Sequence, residues 1–245
     1  RCVIGGSACP RFMMEKFYEK YGVDVIHCWG MTETSPIGTI NRPLLKHDNV
    51  NLTEKFDLAV KQGRPVYGVE LKITDDNGVT LPNDGKAFGN LWIRGPWICS
   101  GYLNLESSET HGEEDWFLTG DVATIDADGY MQITDRTKDV IKSGGEWISS
   151  IEIENFAAGH SSIMEAAVIG IFHPKWDERP LLILVKNENK EVTKDEILSF
   201  LKDKIASWWM PDAVEFVDSL PHTATGKIQK LALREQFKDY KFEVK

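Results

Sequence analysis

The chain has 245 residues, of which 42% are hydrophobic and 27% charged, with a formal net charge of −10; this is the make-up of an ordinary soluble globular protein with room for one large domain or two unequal ones. The excess of acid, with Lys and Arg interspersed among it, argues against a nucleic-acid partner, which would require a basic stripe to displace counterions. No run approaches the roughly 20 apolar residues of a membrane helix, and "RCVIGGSACP" at the N-terminus lacks the pattern of a signal peptide, so the expected compartment is the cytosol. Cys2, Cys9, Cys28 and Cys99 have no C-x-x-C spacing and lie on or beside apolar segments, which favours buried free thiols over a disulfide frame or a zinc site.

In chain order, "RCVIGG" reads as a buried strand running into a turn. It has no polar lead-in, as though the first element of a sheet had been cut from something larger. "PRFMMEKFYEKYG" places Met14, Phe17, Tyr18 and Tyr21 at helical spacing, with Pro10 at the entry and Gly22 at the stop. "VDVIHCWG" is a second buried strand, and strand, helix and strand together imply a parallel α/β arrangement whose ligands gather at strand carboxyl ends. Both "GGSACP" and "WGMTETSP" stand at such ends.

From Gly63 the texture changes to short strands, "VELKITDDNGVTL", "GNLWIRG", "WFLTGDVATID" and "ADGYMQITD", with Asn77-Gly78 and Asp128-Gly129 as hairpin signals. A small β-barrel or sheet is expected there. After the short polar linker "TDRTKD", a helix begins at a capping box from Ser149 to Glu152, followed by strands "EAAVIGIF" and "LLILVKN". Thr193 and Glu196 form a second capping box, opening a helix with Ile197, Leu198, Leu201 and Ile205 on one side; "AVEFVDSL" and a helix from about Gln229 to Tyr240 complete an α+β unit that starts near Arg136.

Three polar clusters invite a chemical reading. "PHTATGKIQK" sets Lys227 after Gly226 in a loop with Thr223 and Thr225. It is not a Walker A loop, because Pro221 stands where that motif needs Gly, and Ile228 where it needs Ser or Thr. Taken alone, it is an ordinary solvated turn. In "GMTETSP", Thr32 and Glu33 emerge at a strand end, where a hydroxyl can donate to phosphate and a carboxylate can hold Mg²⁺, an ion that needs only one or two protein oxygens. Trp29 offers a flat ring for a base or for the core, and Asp121 in "FLTGD" suits either two ribose hydroxyls or a turn. The remaining histidines, His47, His111, His160 and His173, have no metal-ligand spacing; His222 is a candidate for shaping the lysine loop.

"GGSACP", "WGMTETSP", "GNLWIRG", "WFLTGD", "GYMQITDRTKDVIKSGGEWISSIEIE" and "PHTATGKIQK" resemble, in order and over essentially the whole chain, the signature motifs of the adenylate-forming superfamily. "KSGGEWISS" and "HPKWDERP" are similar to the fatty acyl-CoA synthetases, with medium-chain and 3-methylmercaptopropionate CoA ligases nearest in likeness. The fold implied is α/β plus α+β: residues 1–135 as the later part of a large domain (α/β over 1–60, barrel-like over 61–135) and residues 136–245 as a mobile AMP-binding domain. The reaction implied uses ATP, Mg²⁺ and coenzyme A. A carboxylate attacks ATP to give acyl-adenylate and pyrophosphate, and the CoA thiol then displaces AMP.

The resemblance implies a role for each matching residue. Gly6, His27, Cys28, Trp29 and Gly30 would line the adenine and acyl pocket, Thr32 would touch phosphate and Glu33 hold the metal. Asp121 would bind the ribose, with Arg136 nearby. Lys138 would be the hinge, Lys142 would approach the adenylate, Trp147 would stand at the acyl tunnel, and Gly144 and Gly145 would let the backbone pass close to the pantetheine arm. Lys227 would meet the α-phosphate and the attacking carboxylate. Asn90 stands where the family usually has Glu, a change read as structural. The family's phosphate loop is not among these residues, so the chain is expected to be the later part of a longer enzyme, not fully active alone. An adenylation domain serving a carrier protein and a non-catalytic nucleotide- or CoA-binding module are the alternatives; a homodimer is left open.

Overall fold

The computed structural model describes residues 1–104, 110–223 and 226–242. They divide into two compact units, Arg1–Thr137 and Lys138–Lys245. In the first, strand β1 (Cys2–Ile4), helix α1 (Arg11–Tyr21), strands β2 (Val25–Trp29) and β3 (Thr39–Ile40), helix α2 (Leu52–Ala59) and strand β4 (Arg64–Pro65) build a sheet in the order β1-β2-β3-β4. β1 and β2 are parallel, Ile4 opposite His27, so the loops that follow them open side by side. Gly22 ends α1 in the left-handed conformation, its N–H donating to Phe17 O and Tyr18 O. Met14 and Cys9 pack with Phe56 beneath.

The first strand, expected to be buried, has Val3 60% exposed among these residues and stands at one end of the sheet order. The four cysteines are free, but only Cys9 is fully buried. Strands β5 (Glu70–Thr74), β6 (Phe88–Arg94), β7 (Phe117–Ile125) and β8 (Met131–Arg136) form an antiparallel meander. No closed barrel forms among the described residues; of the two forms expected, this stretch takes the open sheet. Ile73, Leu91, Ala123 and Met131 fill one face, and Val69, Ile93 and Phe117 make a second cluster.

His27 is the buried polar centre of the first unit, 1% exposed. Its Nδ1 lies 3.2 Å from Val60 O and 3.3 Å from Gln62 Nε2, its Nε2 3.5 Å from Ser7 O. Gln62 in turn accepts from Ile133 N at 2.6 Å, joining this centre to β8. Burial pushes the imidazole pKa below its ordinary 6.5, against the opposing pull of the two carbonyls.

In the second unit, strands β9 (Ile141–Ser143) and β10 (Glu146–Ile148), helix α3 (Ser150–Ala158), strands β11 (Ile163–His173) and β12 (Asp177–Lys186), helix α4 (Lys194–Leu201), strand β13 (Ala213–Phe216) and helix α5 (Lys230–Gln236) arrange around β12. It pairs with β11 on one side and with β9 and β13 on the other. Its burial on both faces explains the continuous apolar run "PLLILV". Ser149 accepts from Glu152 N at the start of α3, and the box of Thr193 with Glu196 opens α4. The last helix is shorter than its sequence suggests, ending at Gln236. α5 is fastened inward: Lys230 Nζ lies 2.7 Å from Glu154 Oε1, the side chains 11% and 16% exposed, and the same oxygen accepts from Val168 N at 2.7 Å.

Removing one partner of such a pair strands a charge in the interior. Glu154→Ala is expected to lower the opening free energy of β11 amides by about 3 kcal/mol in native-state hydrogen exchange, and the double replacement E154L/K230M by less. A loss under about 1 kcal/mol for Glu154→Ala contradicts this account. For His27, a folded pKa below the unfolded one means that the unfolded chain binds more protons as the pH falls through and below 6.5. The urea midpoint of the transition that exposes β2 is therefore expected to fall between about pH 7.5 and about pH 5.5, with His27→Gln flattening that slope; an unchanged slope in the variant contradicts it.

Candidate functional site

In the first unit the candidate residues converge where β2 meets the meander. Trp29, at the end of β2, donates its indole N–H to Asp121 Oδ2 on β7 at 2.9 Å. Its ring packs over Gly38, where an added Cβ would stand 2.5 Å from Trp29 Cζ3, and joins both apolar clusters of the meander. Trp29 is thus a packed residue at its ring and a hydrogen-bond donor at its edge. A carboxylate oxygen accepts more than one donor, so the bond to Trp29 fixes Asp121 without closing it to a diol. Thr119 Oγ1 accepts from Asp121 N at 3.1 Å across Gly120, which takes φ 75° inside β7. Arg136 lies directly opposite Asp121 across the β7–β8 ladder, exposed.

The loop after β2 is drawn tight. Gly30 allows it: a Cβ there would stand 1.8 Å from Pro36 O, so no other residue fits without moving the chain. Thr34 is buried, its hydroxyl accepting from Met31 N and lying 2.9 Å from Pro36 O, while Thr32 is exposed at the start of one 3₁₀ turn. Glu33 accepts from the phenol of Tyr102 at 2.9 Å and its carbonyl from Cys99 N. Burial and then the Glu33 carboxylate push the Tyr102 pKa up to about 12, which keeps the phenol a donor. No group of three or more His, Cys, Asp or Glu able to hold a metal occurs among the described residues; the Glu33 carboxylate is of the type that could hold Mg²⁺, an ion needing only one or two protein oxygens. Gly6 turns at φ 83° beyond β1. Cys28 sits against Gly5, and burial raises its thiol pKa.

Asn90 bridges Asp76 Oδ1 through its amide and accepts from Thr137 Oγ1 at 3.2 Å, contacts internal to the sheet. Thr137 N also donates to Gly120 O. Asp139, buried, pairs with Arg234 of α5 at 2.8 Å. Each unit therefore grips the chain up to one side of Lys138, which is exposed.

In the second unit Lys142 faces Trp147 across the β9–β10 hairpin, its Nζ 5.5 Å from the ring centroid. The two-residue turn between these strands is Gly144 and Gly145, with φ 60° and 87°, the left-handed pair such a hairpin requires. The two glycines differ. A Cβ on Gly144 would press to 2.9 Å from Trp176 Cε3, whereas one on Gly145 meets nothing within 4 Å. Gly144 is thus demanded by the packing of its own unit, and Gly145 stands open.

Lys227 lies at the end of the loop leading into α5. Thr223 N donates to Lys227 O at 2.8 Å and Lys227 N to Thr223 Oγ1 at 3.2 Å, with His222 bridging Ile228 at the loop base and its Nε2 2.9 Å from Glu165 Oε1. Thr225 lies outside the described residues. The Lys227 side chain is exposed, held by its backbone while the ammonium stays in solvent. Sequence patterns gave no role to Tyr102, whose partner is 69 residues away, or to Trp176 and Arg179, which pack on the hairpin.

The family model for AMP-binding enzymes matches residues 1–103, and that for the AMP-binding enzyme C-terminal domain matches residues 152–227. The chain is 56% identical to the 3-methylmercaptopropionyl-CoA ligase of Ruegeria lacuscaerulensis and 54% identical to the medium-chain-fatty-acid–CoA ligase of Ectopseudomonas oleovorans. Each likeness covers 98% of this chain and 44% of the relative; the chain spans less than half the length of these relatives. It is also similar to the crystal structure of ATP-bound MatB from Rhodopseudomonas palustris, with TM-score 0.84 and 29% identity over 98% of this chain and 46% of that one. Both family models match in order along a single polypeptide, and relatives of the same kind align across nearly all of it: the chain belongs to the AMP-binding enzyme family.

Proposed function

We propose that the protein is an AMP-forming acyl-CoA synthetase acting on a medium- or long-chain fatty acid or a similar carboxylate. The observation that carries this reading is the 54–56% identity, across 98% of the chain, to enzymes whose names are CoA ligases of such acids. In the first half-reaction a carboxylate oxygen attacks the α-phosphorus of ATP and pyrophosphate leaves. In the second, the CoA thiol attacks the acyl carbon, its proton is lost, and AMP departs with the electron pair of the acyl–oxygen bond.

The geometry supports a division of labour. Asp121, oriented by Trp29, would accept from the ribose hydroxyls, with Arg136 beside it; the backbone of Gly6, His27, Cys28, Trp29 and Gly30 would border the base and the acyl group. Thr32 would donate to phosphate. Glu33, steadied by Tyr102, would hold Mg²⁺, which supplies charge neutralisation on the phosphates. Lys227 would place its ammonium where negative charge builds on the α-phosphate and the entering carboxylate, the form of catalysis in which positioned charge is worth most. Lys142 and Trp147 would serve the adenylate and the acyl channel. Gly145 would let the thiol arm of CoA pass along the hairpin, and Lys138 would be the hinge between the two half-reactions.

In the complete protein, Lys227→Ala is expected to slow adenylate formation by about a hundredfold while sparing thioester formation from supplied acyl-adenylate. Gly145→Asn, which tolerates the left-handed backbone but adds a side chain, is expected to do the reverse. Single-turnover assays of each half-reaction check both; equal loss of both steps in both variants contradicts the proposal.

A further inference from the structure

The hairpin that carries Gly144 and Gly145 is short, three residues on each side, and Gly145 has open space about it. Something must hold so small a ribbon in one place. Ile141 and Ile148 sink its base into the core, and the contacts at its turn come from Trp176 and the beginning of β12. Gly144 N donates to Trp176 O at 2.7 Å, Lys142 N donates to Glu178 Oε2 at 3.0 Å, and the Trp176 ring lies against Gly144. Beneath them is Arg179, its side chain 13% exposed. Its Nη1 donates to Ser143 Oγ at 3.2 Å and to Trp208 O at 3.0 Å, its Nη2 to Met210 O at 2.9 Å, and its Nε to Asp212 Oδ1 at 2.7 Å.

One planar fork therefore joins three pieces of the second unit: the residue just before the glycine turn, the 3₁₀ turn Ser207–Trp209 and the approach to β13. A rigid guanidinium can reach acceptors spread in this way; a lysine ammonium on the same stem cannot. Losing it would leave Trp208 O and Met210 O without that donor and Asp212 without its cation. Ile141 and Ile148 hold the base of the hairpin in the core, so the cost would fall at its turn, which Arg179 reaches through Ser143 Oγ.

We propose that Arg179 is the positioning residue that fixes the Gly144–Gly145 hairpin for the thiol substrate, so that it governs the second half-reaction without touching either substrate. This rests on the CoA-ligase reading above. Its role differs from that of Gly145, which would border the ligand: Arg179 acts through Ser143, one residue before the turn. A group that merely stabilised the unit would affect both half-reactions together, because Lys227 belongs to the same unit.

The test compares wild type, Arg179→Lys and the milder Ser143→Ala in the complete protein, with two readouts. Hydrogen exchange of the amides of residues 142–147 is expected to quicken in both variants, more in Arg179→Lys. The KM for CoA, measured with supplied acyl-adenylate, is expected to rise on the order of tenfold in Arg179→Lys and less in Ser143→Ala, with the rate of adenylate formation changing far less than the thioester step. Unchanged exchange in the hairpin overturns the inference, as does an equal fall in both half-reactions. A wild-type protein that forms no thioester from CoA and acyl-adenylate refutes the ligase reading itself and removes this inference with it, an outcome seen before any variant is compared.

Discussion

The hydrogen bond from the Trp29 indole to Asp121 is the contact that fixes the candidate site of the first unit. It ties the end of a strand in one sheet to the middle of a strand in another, 92 residues apart in sequence. A buried or half-buried ionised carboxylate needs a donor, and the indole N–H, which can only donate, supplies one in a fixed direction. The direction is fixed because the ring has no room to turn, pressed as it is on Gly38 and the meander core. The loop carrying Thr32 and Glu33 starts at the next residue and is folded back at Gly30 so closely that a methyl group would collide with Pro36 O. Asp121 and Glu33, the carboxylates proposed for the ribose and the phosphate side, are thereby each held by a hydrogen-bond donor, the condition for pre-organised binding.

The second unit is organised about β12. Its apolar faces give the core, with Leu182 and Leu184 on one side and Leu181 and Ile183 on the other, and its first residues hold the glycine hairpin. Helix α5 is bolted by Lys230 to Glu154 and by Arg234 to Asp139. The loop bearing Lys227 thus hangs from a helix whose attachments run back to the first residues of the unit.

Much of the fold was legible because it is encoded locally. The capping residues Ser149 and Thr193, the stop at Gly22 and the parallel pairing of β1 with β2 follow from spacing within a few residues. What escaped was non-local. Barrel and open sheet share the same alternating pattern and differ in closure alone. The site shows the same divide: its motif residues stood out by type and order, but the pairing of Tyr102 with Glu33 had no signature, and Arg179, though within the quoted "HPKWDERP", gave no sign that it would reach Ser143. Gly144 and Gly145 looked equivalent in the sequence, and packing separates them, one serving Trp176 and the other open.

The central claim is that this chain's residues serve an attack by a carboxylate on the α-phosphorus of ATP. Isotope position tests it most directly. With a fatty acid labelled with oxygen-18 in its carboxyl group, a full turnover in the complete protein with ATP and CoA is predicted to leave one labelled oxygen in AMP and none in pyrophosphate. Label recovered in inorganic phosphate, with ADP as the nucleotide product, would place the attack at the γ-phosphorus and contradict the account.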